Sequence, residues 1–154
     1  MNLGAKAGDE LRLSVVPAFA SLSDASDEKS GNAELDVDVC ALTVKDGAIT
    51  SCAIDSVQAK VAFDAQGQIV SGNEGTILTK NELKENYNMK AWGQAKYEWY
   101  EQAAAFAGYV KGKTFEEVAS IAVNESAKPT DADLASSVTI SIGGFKTLIQ
   151  KAAK

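Results

Sequence analysis

The segment LDVDVCALTVKDGAITSCAIDSV, residues 35–57, decides the expected fold. Apolar and polar side chains alternate over residues 35–44 and again over residues 48–57, a pattern that is typical of strands with one buried face. Between these two runs, Lys45-Asp46-Gly47 is a strong β-hairpin signal. The segment therefore predicts an antiparallel hairpin, and with it a sheet in which neighbouring strands are joined by short turns.

Both cysteines of the chain lie on this hairpin. If the turn has three residues, Val44 faces Ala48 and Cys40 faces Cys52. Two facing cysteines either form a disulfide or lie reduced side by side, and a disulfide between directly opposed strand positions is strained. Both possibilities stay open. Catalytic use of the thiols is not expected, because no neighbouring group would activate them.

Further strands are expected on either side of the hairpin. The run from Leu11 to Val16 predicts a first strand, and Pro17 either ends it or confines it to a sheet edge, because proline lacks the N–H donor of a ladder. Residues 21–34 are rich in polar and small side chains and are expected to form an exposed loop. Residues 61–70 continue the sheet through a turn at residues 64–68.

Towards the C-terminus, apolar residues recur at intervals of three or four, which predicts helices. A long helix is expected from Trp92 to Tyr109. One of its rings, on Trp92, Trp99 or Tyr100, could stack on a ligand ring, although aromatic residues at this spacing usually pack a helix on a sheet.

Two shorter helices are indicated by their first residues. Thr79 with Glu82, and Thr114 with Glu117, have the spacing of a capping box. A last helix follows Gly143-Gly144, and its apolar face consists of Phe145, Leu148, Ile149 and Ala152.

Together these elements predict an α+β fold, namely an antiparallel sheet with a hairpin at residues 35–57, packed by two or three helices. The chain has 154 residues, which is enough for one ordinary domain with a core. We expect residues 1–34 to supply an N-terminal strand and an exposed loop to the same domain as residues 35–154.

Composition argues against several classes of function. The chain has a net charge of −6, a single arginine and no histidine. Proteins that bind nucleic acids usually carry a basic patch rich in arginine, so no nucleic-acid partner is expected. Without histidine, the usual general base and the usual zinc ligand are missing, so neither a hydrolase of ordinary design nor a metal site is expected.

The chain contains no run that approaches the ~20 apolar residues of a membrane-spanning helix. Its first residues, Met1-Asn2-Leu3-Gly4, lack the basic and apolar regions of a signal peptide. We therefore treat it as a hypothesis that the native protein had a leader that was removed.

The segment DLASSVTIS, residues 133–141, combines an acid with several hydroxyl side chains. A strand is expected over residues 138–142, and Ser141 is expected to cap the last helix. A hydroxyl just before a helix start is well placed to carry or meet a phosphate, because free backbone N–H groups point outward there.

The pattern D-x-x-S-S-V-T of residues 133–139 resembles the D-x-x-S/T-G-A-T signature of FMN-binding domains. Such domains occur in sodium-pumping quinone reductases, their ferredoxin-linked relatives and bacterial surface flavoproteins. Ser137 stands where the family prefers glycine, and Val138 stands where it prefers alanine. Residues 139–145 resemble the T/S-x-x-G continuation of the family and its closing helix. The resemblance covers roughly residues 35–154. Its specific signal is confined to the last twenty or so residues of the chain.

This resemblance implies that FMN is attached through its phosphate to the hydroxyl of Thr139. Asp133 would orient that hydroxyl, or the metal that a flavin transferase brings with FAD, and Ser136 would bond the loop or the phosphate. Ser137 and Ser141 complete the implied cofactor-binding set. The implied function is an electron carrier rather than a stand-alone enzyme, because the flavin supplies the chemistry.

The resemblance also implies a biological setting. The redox partner would be a protein or a quinone-linked complex, and a flavin transferase would be needed for maturation. The location would be extracytoplasmic, secreted or at a bacterial cell surface, with membrane anchoring as a lipoprotein through the removed leader.

Other interpretations stay open. Asp133, Ser136 and Ser137 are also ordinary turn residues that bond their own backbone, and Thr139 is a β-branched residue of the kind that strands contain. The alternative function is a flavin-free surface binding or structural module of the same fold. Noncovalent binding of flavin, or of another small ligand, lies between the two.

Overall fold

The computed structural model describes residues 4–72, 75–93 and 95–154, and it confirms the predicted α+β class. The hypothesis of a removed leader rests on Met1–Leu3, which lie outside the described residues. Four antiparallel strands form one sheet in the order β1-β2-β3-β4. The strands are β1 (Glu10–Ser23), β2 (Gly31–Lys45), β3 (Ala48–Phe63) and β4 (Ile69–Ser71).

Helices follow the sheet in the sequence. They are α1 (Lys80–Leu83), a 3-10 helix (Lys84–Tyr87), α2 (Met89–Gly93), α3 (Trp99–Tyr109), α4 (Phe115–Ala119), α5 (Ala132–Ala135) and α6 (Gly143–Ala152). Both predicted capping boxes are confirmed, at the starts of α1 and α4. The predicted apolar face of the last helix is also confirmed, because the four residues that form it are buried in α6.

The hairpin between β2 and β3 has a two-residue turn, so the condition under which Cys40 would face Cys52, a turn of three residues, is not met. Asp46 and Gly47 both have positive φ angles, 51° and 81°, and Lys45 pairs with Ala48. Positive φ at both central residues matches the right-handed twist of the strands. A bulge follows in β3, between the pairs Thr43–Ser51 and Val44–Ile49.

The register of the hairpin decides how the cysteines meet. Cys40 pairs with Ile54, and Leu42 pairs with Cys52, so the cysteines are diagonal neighbours rather than facing residues. Both are free thiols, and their Sγ atoms are 3.8 Å apart. The hydrogen bond with Cys40, and after it burial, raise the pKa of the Cys52 thiol.

Strand β1 continues through Pro17 as far as Ser23, and it lies at the edge of the sheet. The edge position is one of the two outcomes that proline allows, because an edge residue needs no N–H partner on its outer side. The predicted loop at residues 21–34 is too long, since Ser21 pairs with Glu34 and Ser23 pairs with Asn32.

The predicted helix from Trp92 to Tyr109 consists of two helices, α2 and α3; Gln94, between them, lies outside the described residues. Glu98, only 3% exposed, has an extended backbone and is the N-cap of α3. Its carboxylate accepts hydrogen bonds from the backbone N–H groups of Met89 (2.9 Å) and Lys90 (3.1 Å). The predicted helix is therefore divided at Glu98, which has an extended backbone before α3 and caps the start of α2 with its carboxylate. Periodicity alone does not reveal this division.

The core lies between one side of the sheet and helices α3 and α6. Cys40 and Leu42 of β2 are almost fully buried on this side. Trp99 of α3 packs edge-to-face on Phe145 of α6, with ring centroids 5.7 Å apart. The hydroxyl of Ser14 donates to the carbonyl of Leu148, which ties the edge strand to α6.

Candidate functional site

Helix α5 carries the first part of the motif. The carboxylate of Asp131 caps it by accepting from the N–H of Leu134 at 3.0 Å. The hydroxyl of Ser136 donates to the carbonyl of Asp133 (2.7 Å), and the hydroxyl of Ser137 donates to that of Leu134 (3.3 Å). Both hydroxyls thus bond the turn in which they stand. The side chain of Asp133 is exposed in the first helical turn, which favours a negative charge.

The predicted strand over residues 138–142 is wrong, because this segment is a loop that joins α5 to α6. Its backbone bonds do not follow a strand ladder. The N–H of Val138 donates to the carbonyl of Leu134 (2.8 Å), and the N–H of Ile142 donates to that of Ala127 (2.9 Å). Val138 and Ile142 are fully buried, so both ends of the loop are anchored in the core. The extra bulk of Val138, compared with the alanine of the FMN-binding signature, faces the core.

Between these anchors, Gln102 of α3 holds the loop. Its Oε1 accepts from the N–H of Thr139 (2.7 Å), from the hydroxyl of Thr139 (3.2 Å) and from the N–H of Ile140 (3.2 Å). Its Nε2 donates to the carbonyl of Tyr97 at 2.9 Å. Gln102 is fully buried, so these bonds satisfy an otherwise costly amide.

Gln102 was absent from the candidate residues that the sequence supplied. Its signal is visible in retrospect, because a polar residue stands three positions after Trp99 and four before Phe106, within the apolar stripe of α3. A buried amide on such a stripe needs partners from another element.

The arrangement leaves the Thr139 hydroxyl chemically usable. Thr139 is half-buried, and its Oγ1 donates its hydrogen to Gln102. A hydroxyl oxygen that donates keeps two lone pairs, which can accept a hydrogen bond or form an ester. Of the five predicted cofactor-binding residues, Thr139 is the one whose position is set by a distant part of the chain.

Ser141 is close to the start of α6, but the prediction that it caps this helix is wrong, because the N-cap is Ile142. The Ser141 hydroxyl instead lies one residue before the N-cap and accepts from the N–H of Gly143, the first residue of α6, at 3.3 Å. A carboxylate is close by, since Asp38 Oδ2 lies 3.4 Å from the place that a Cβ on Gly144 would take. A phosphate at this helix start would meet the negative charge of Asp38.

Beside Asp38, the sheet contains a second group that the sequence did not reveal. Ser56 pairs directly with Asp38 across β2 and β3, and it is fully buried. Within the described part of the chain, its Oγ has no hydrogen-bond partner. A buried hydroxyl without a partner costs stability.

A groove of about 630 Å³ runs along α6 on the side away from the sheet. None of the five predicted cofactor-binding residues lines it. Its lining consists of Ala119, Val123, Gly143, Lys146, Thr147, Gln150, Lys151 and Lys154.

The aromatic residues of the 92–109 segment have different surroundings. Trp99 is in the core, as expected for packing. The hydroxyl of Tyr100 donates to Glu85 at 2.8 Å, which raises the pKa of the tyrosine. Trp92 is 86% exposed. Stacking of a ligand ring on one of them stays a prediction.

Within residues 4–72, 75–93 and 95–154, no three histidine, cysteine or acidic side chains are grouped so that they could hold a metal ion. In the same ranges, no helix is long and apolar enough to span a membrane.

Comparison of the chain with protein-family models gave no match, and none was found among the curated proteins or the solved structures.

Proposed function

We propose that this chain is an FMN-carrying electron-transfer domain whose flavin is attached through its phosphate to Thr139. The observation that supports this most is the bonding of Thr139 to Gln102, 37 positions away in the sequence. The buried side chain of Gln102 bonds both the backbone N–H and the hydroxyl of Thr139, and these two bonds orient the hydroxyl. Such orientation is what a covalent attachment point needs.

In the attachment step, Thr139 Oγ1 forms a bond to the FMN phosphorus of FAD. The pyrophosphate bond breaks, AMP leaves, and the hydroxyl proton passes to solvent. Gln102 accepts the hydrogen bond from Oγ1 before the step and holds the Thr139 backbone throughout. The exposed Asp133 is accessible to the transferase and its metal. Once bound, the flavin would supply the redox chemistry, the uptake and transfer of one or two electrons.

In this proposal, the serines support the site indirectly. Ser136 and Ser137 tie the end of α5 to its own backbone, which sets where Val138 enters the core and where Thr139 leaves it. Ser141 bonds Gly143 and so shapes the start of α6. The redox partner, the extracytoplasmic location and the lipoprotein anchor remain parts of the proposal that rest on the resemblance.

The test is the intact mass of the denatured protein after export from cells that co-express a flavin transferase. The proposal expects an FMN adduct that maps to residues 133–141, and its complete loss in Thr139→Ala. Thr147→Ala is the matched control, because it removes an exposed hydroxyl of α6 and should leave the adduct intact. An unmodified mass for the wild type would refute covalent attachment.

The second candidate function is a flavin-free binding or structural module. Two observations favour it, namely that Ser136 and Ser137 bond their own turn and that Asp38 places a negative charge at the start of α6. This candidate expects an unmodified mass and no flavin absorbance before denaturation. Flavin absorbance that is lost on denaturation would instead indicate noncovalent binding.

A further inference from the structure

One side of the sheet is apolar and open to solvent. We call it the outer face, and it comprises the residues of β1, β2 and β3 that point away from α3 and α6. On β1 its exposed members are Leu11 (66%), Leu13 (69%), Val15 (47%) and Phe19 (71%). Val37, Val39 and Ala41 lie beside them on β2, and Ala53 and Val57 continue the face on β3.

The outer face carries little charge. We consider residues 11–19 of β1 and the residues that lie beside them on β2 and β3. In this region the acidic residue of the outer face is Asp55. Its carboxylate accepts from the N–H of Asn81 at 3.2 Å. Asp36 and Asp38 alternate with the apolar residues of β2 and so point to the opposite side. Over residues 35–39 of β2, alternation thus places the apolar residues on the outer face and the two acidic residues on the other side.

We propose that the outer face is the interface between two copies of this chain, which pack sheet against sheet across a two-fold axis. A two-fold interface uses the same patch on both copies, so the patch must complement itself in charge and in shape. A nearly uncharged face meets the first condition even though each chain has a net charge of −6.

The relief of the face meets the second condition. Leu13 and Val15 rise as a ridge along β1. Beside this ridge is a hollow of about 370 Å³, which small side chains such as Ala41 and Ala53 leave open. A two-fold axis through the centre of the face places the ridge of each copy in the hollow of the other. Face-to-face sheets at a spacing of about 10 Å pack in this way.

The size of the face also suits a dimer. Residues 11–19 of β1 extend over about 30 Å, and three strands span about 14 Å, which gives roughly 400 Å² in plan. Side-chain relief adds accessible area, which brings the face towards the ~800 Å² that each partner buries in a standard interface. An open apolar patch of this extent is comparable to the largest patch on a typical monomer, and such patches are often functional.

Other occupants fit the structure less well. An anionic membrane surface attracts basic residues, whereas this chain is acidic. Pairing along the free edge of β1 is hindered where Lys151 Nζ donates to the carbonyl of Val15 (2.7 Å) and where Pro17 lacks an N–H. Packing on the outer face has neither obstacle.

The test is sedimentation velocity of the full chain over two decades of concentration. The proposal expects the wild type to shift from the mass of one chain to that of two, and Val15→Lys to stay monomeric at concentrations where the wild type is dimeric. Val123→Lys is the matched control, because Val123 is an exposed valine on the groove along α6. It should dimerise as the wild type does. Thermal unfolding establishes that both variants fold, and Leu13→Gln is a milder second variant.

Three results would overturn the proposal. In the first, the wild type is monomeric at all concentrations. In the second, Val15→Lys and Leu13→Gln dimerise as the wild type does. In the third, the chain is monomeric and sediments with vesicles of phosphatidylcholine and phosphatidylglycerol. The last result would assign the face to a lipid surface. The flavin state of Thr139 does not enter this test, so the two proposals can fail separately.

Discussion

The side-chain oxygen of Gln102 accepts hydrogen bonds from both the backbone N–H and the hydroxyl of Thr139, at 2.7 and 3.2 Å. The two residues belong to α3 and to the loop before α6. This relationship connects the helix that packs on β3 with the residue to which we assign the flavin.

Replacing Gln102 with leucine is expected to lower the free energy of unfolding by about 2–4 kcal/mol. The substitution keeps the side-chain volume but leaves the N–H groups of Thr139 and Ile140, which are partly buried, without their acceptor. Urea unfolding measures the change. Gln150→Leu is the matched control, because Gln150 is half-buried and donates a single hydrogen bond, to the carbonyl of Phe115. Its expected loss is about 1 kcal/mol. Equal losses in the two variants would contradict a special role for Gln102.

Two glycine-to-alanine substitutions are expected to have opposite signs. A Cβ added at Gly47 or at Gly108 meets no heavy atom within 4 Å, so sterics are equal at the two sites. Gly47 has a φ of 81° in the hairpin turn, where alanine is strained, and Gly47→Ala should cost about 1–2 kcal/mol. Gly108 is helical, and Gly108→Ala should stabilise by about 0.5–1 kcal/mol. Thermal unfolding tests both, and a stabilising Gly47→Ala would refute the assigned turn.

Glu98→Ala is expected to release α2 while the core stays folded. The variant removes the carboxylate that accepts from the N–H groups of Met89 and Lys90. Hydrogen exchange followed by mass spectrometry should show that the substitution speeds exchange, relative to the wild type, more in residues 89–93 than in α3. Glu116→Ala is the control, because Glu116 is exposed in the first turn of α4. Unchanged protection of residues 89–93 in Glu98→Ala would show that α2 does not depend on this cap.

Stability is expected to fall at alkaline pH, partly because of Cys52. The hydrogen bond with Cys40, and after it burial, raise the pKa of the Cys52 thiol in the folded state above the ordinary 9.0. Above that pH the unfolded thiol loses its proton and the folded one keeps it. The folded state then binds more protons, and stability decreases as pH rises. One such proton corresponds to about 1.4 kcal/mol per pH unit.

Cys52→Ala should therefore flatten the decrease of unfolding free energy above pH 9.0. Val44→Ala is the control, because it truncates a buried neighbour that does not titrate and should lower the whole profile without changing its slope. Denaturant titrations at several alkaline pH values measure the slopes. Parallel profiles for the wild type and Cys52→Ala would contradict the prediction.

Features that depend on residues close together in the sequence could be predicted from the sequence. The capping boxes of Thr79 and Thr114 need only a partner three residues away, so the motif predicts the contact directly. The Asp46-Gly47 turn is similar, since positive φ angles are favourable at both residues. The length of that turn was not predicted, because twist and register select two residues over three.

The candidate site was predicted only in part. Thr139 does lie in the segment before the last helix, but as a loop residue rather than a strand residue. Its acceptor Gln102 is 37 positions away, and Asp38, which lies beside Gly144 at the start of α6, comes from the sheet. No short motif contains these residues, so spacing alone does not connect them.

By itself, the sequence determined the α+β class, the hairpin and the starts of two short helices, because alternation, turn residues and caps act over a few positions. Only the tertiary structure decided which side of the sheet the helices cover. Both sides of β2 carry apolar residues, and the packing of Trp99 on Phe145 placed the core over Cys40 and Leu42. The side with Val37 and Val39 was thereby left as the outer face. The physical reason is that helices bury only the side of the sheet on which they dock.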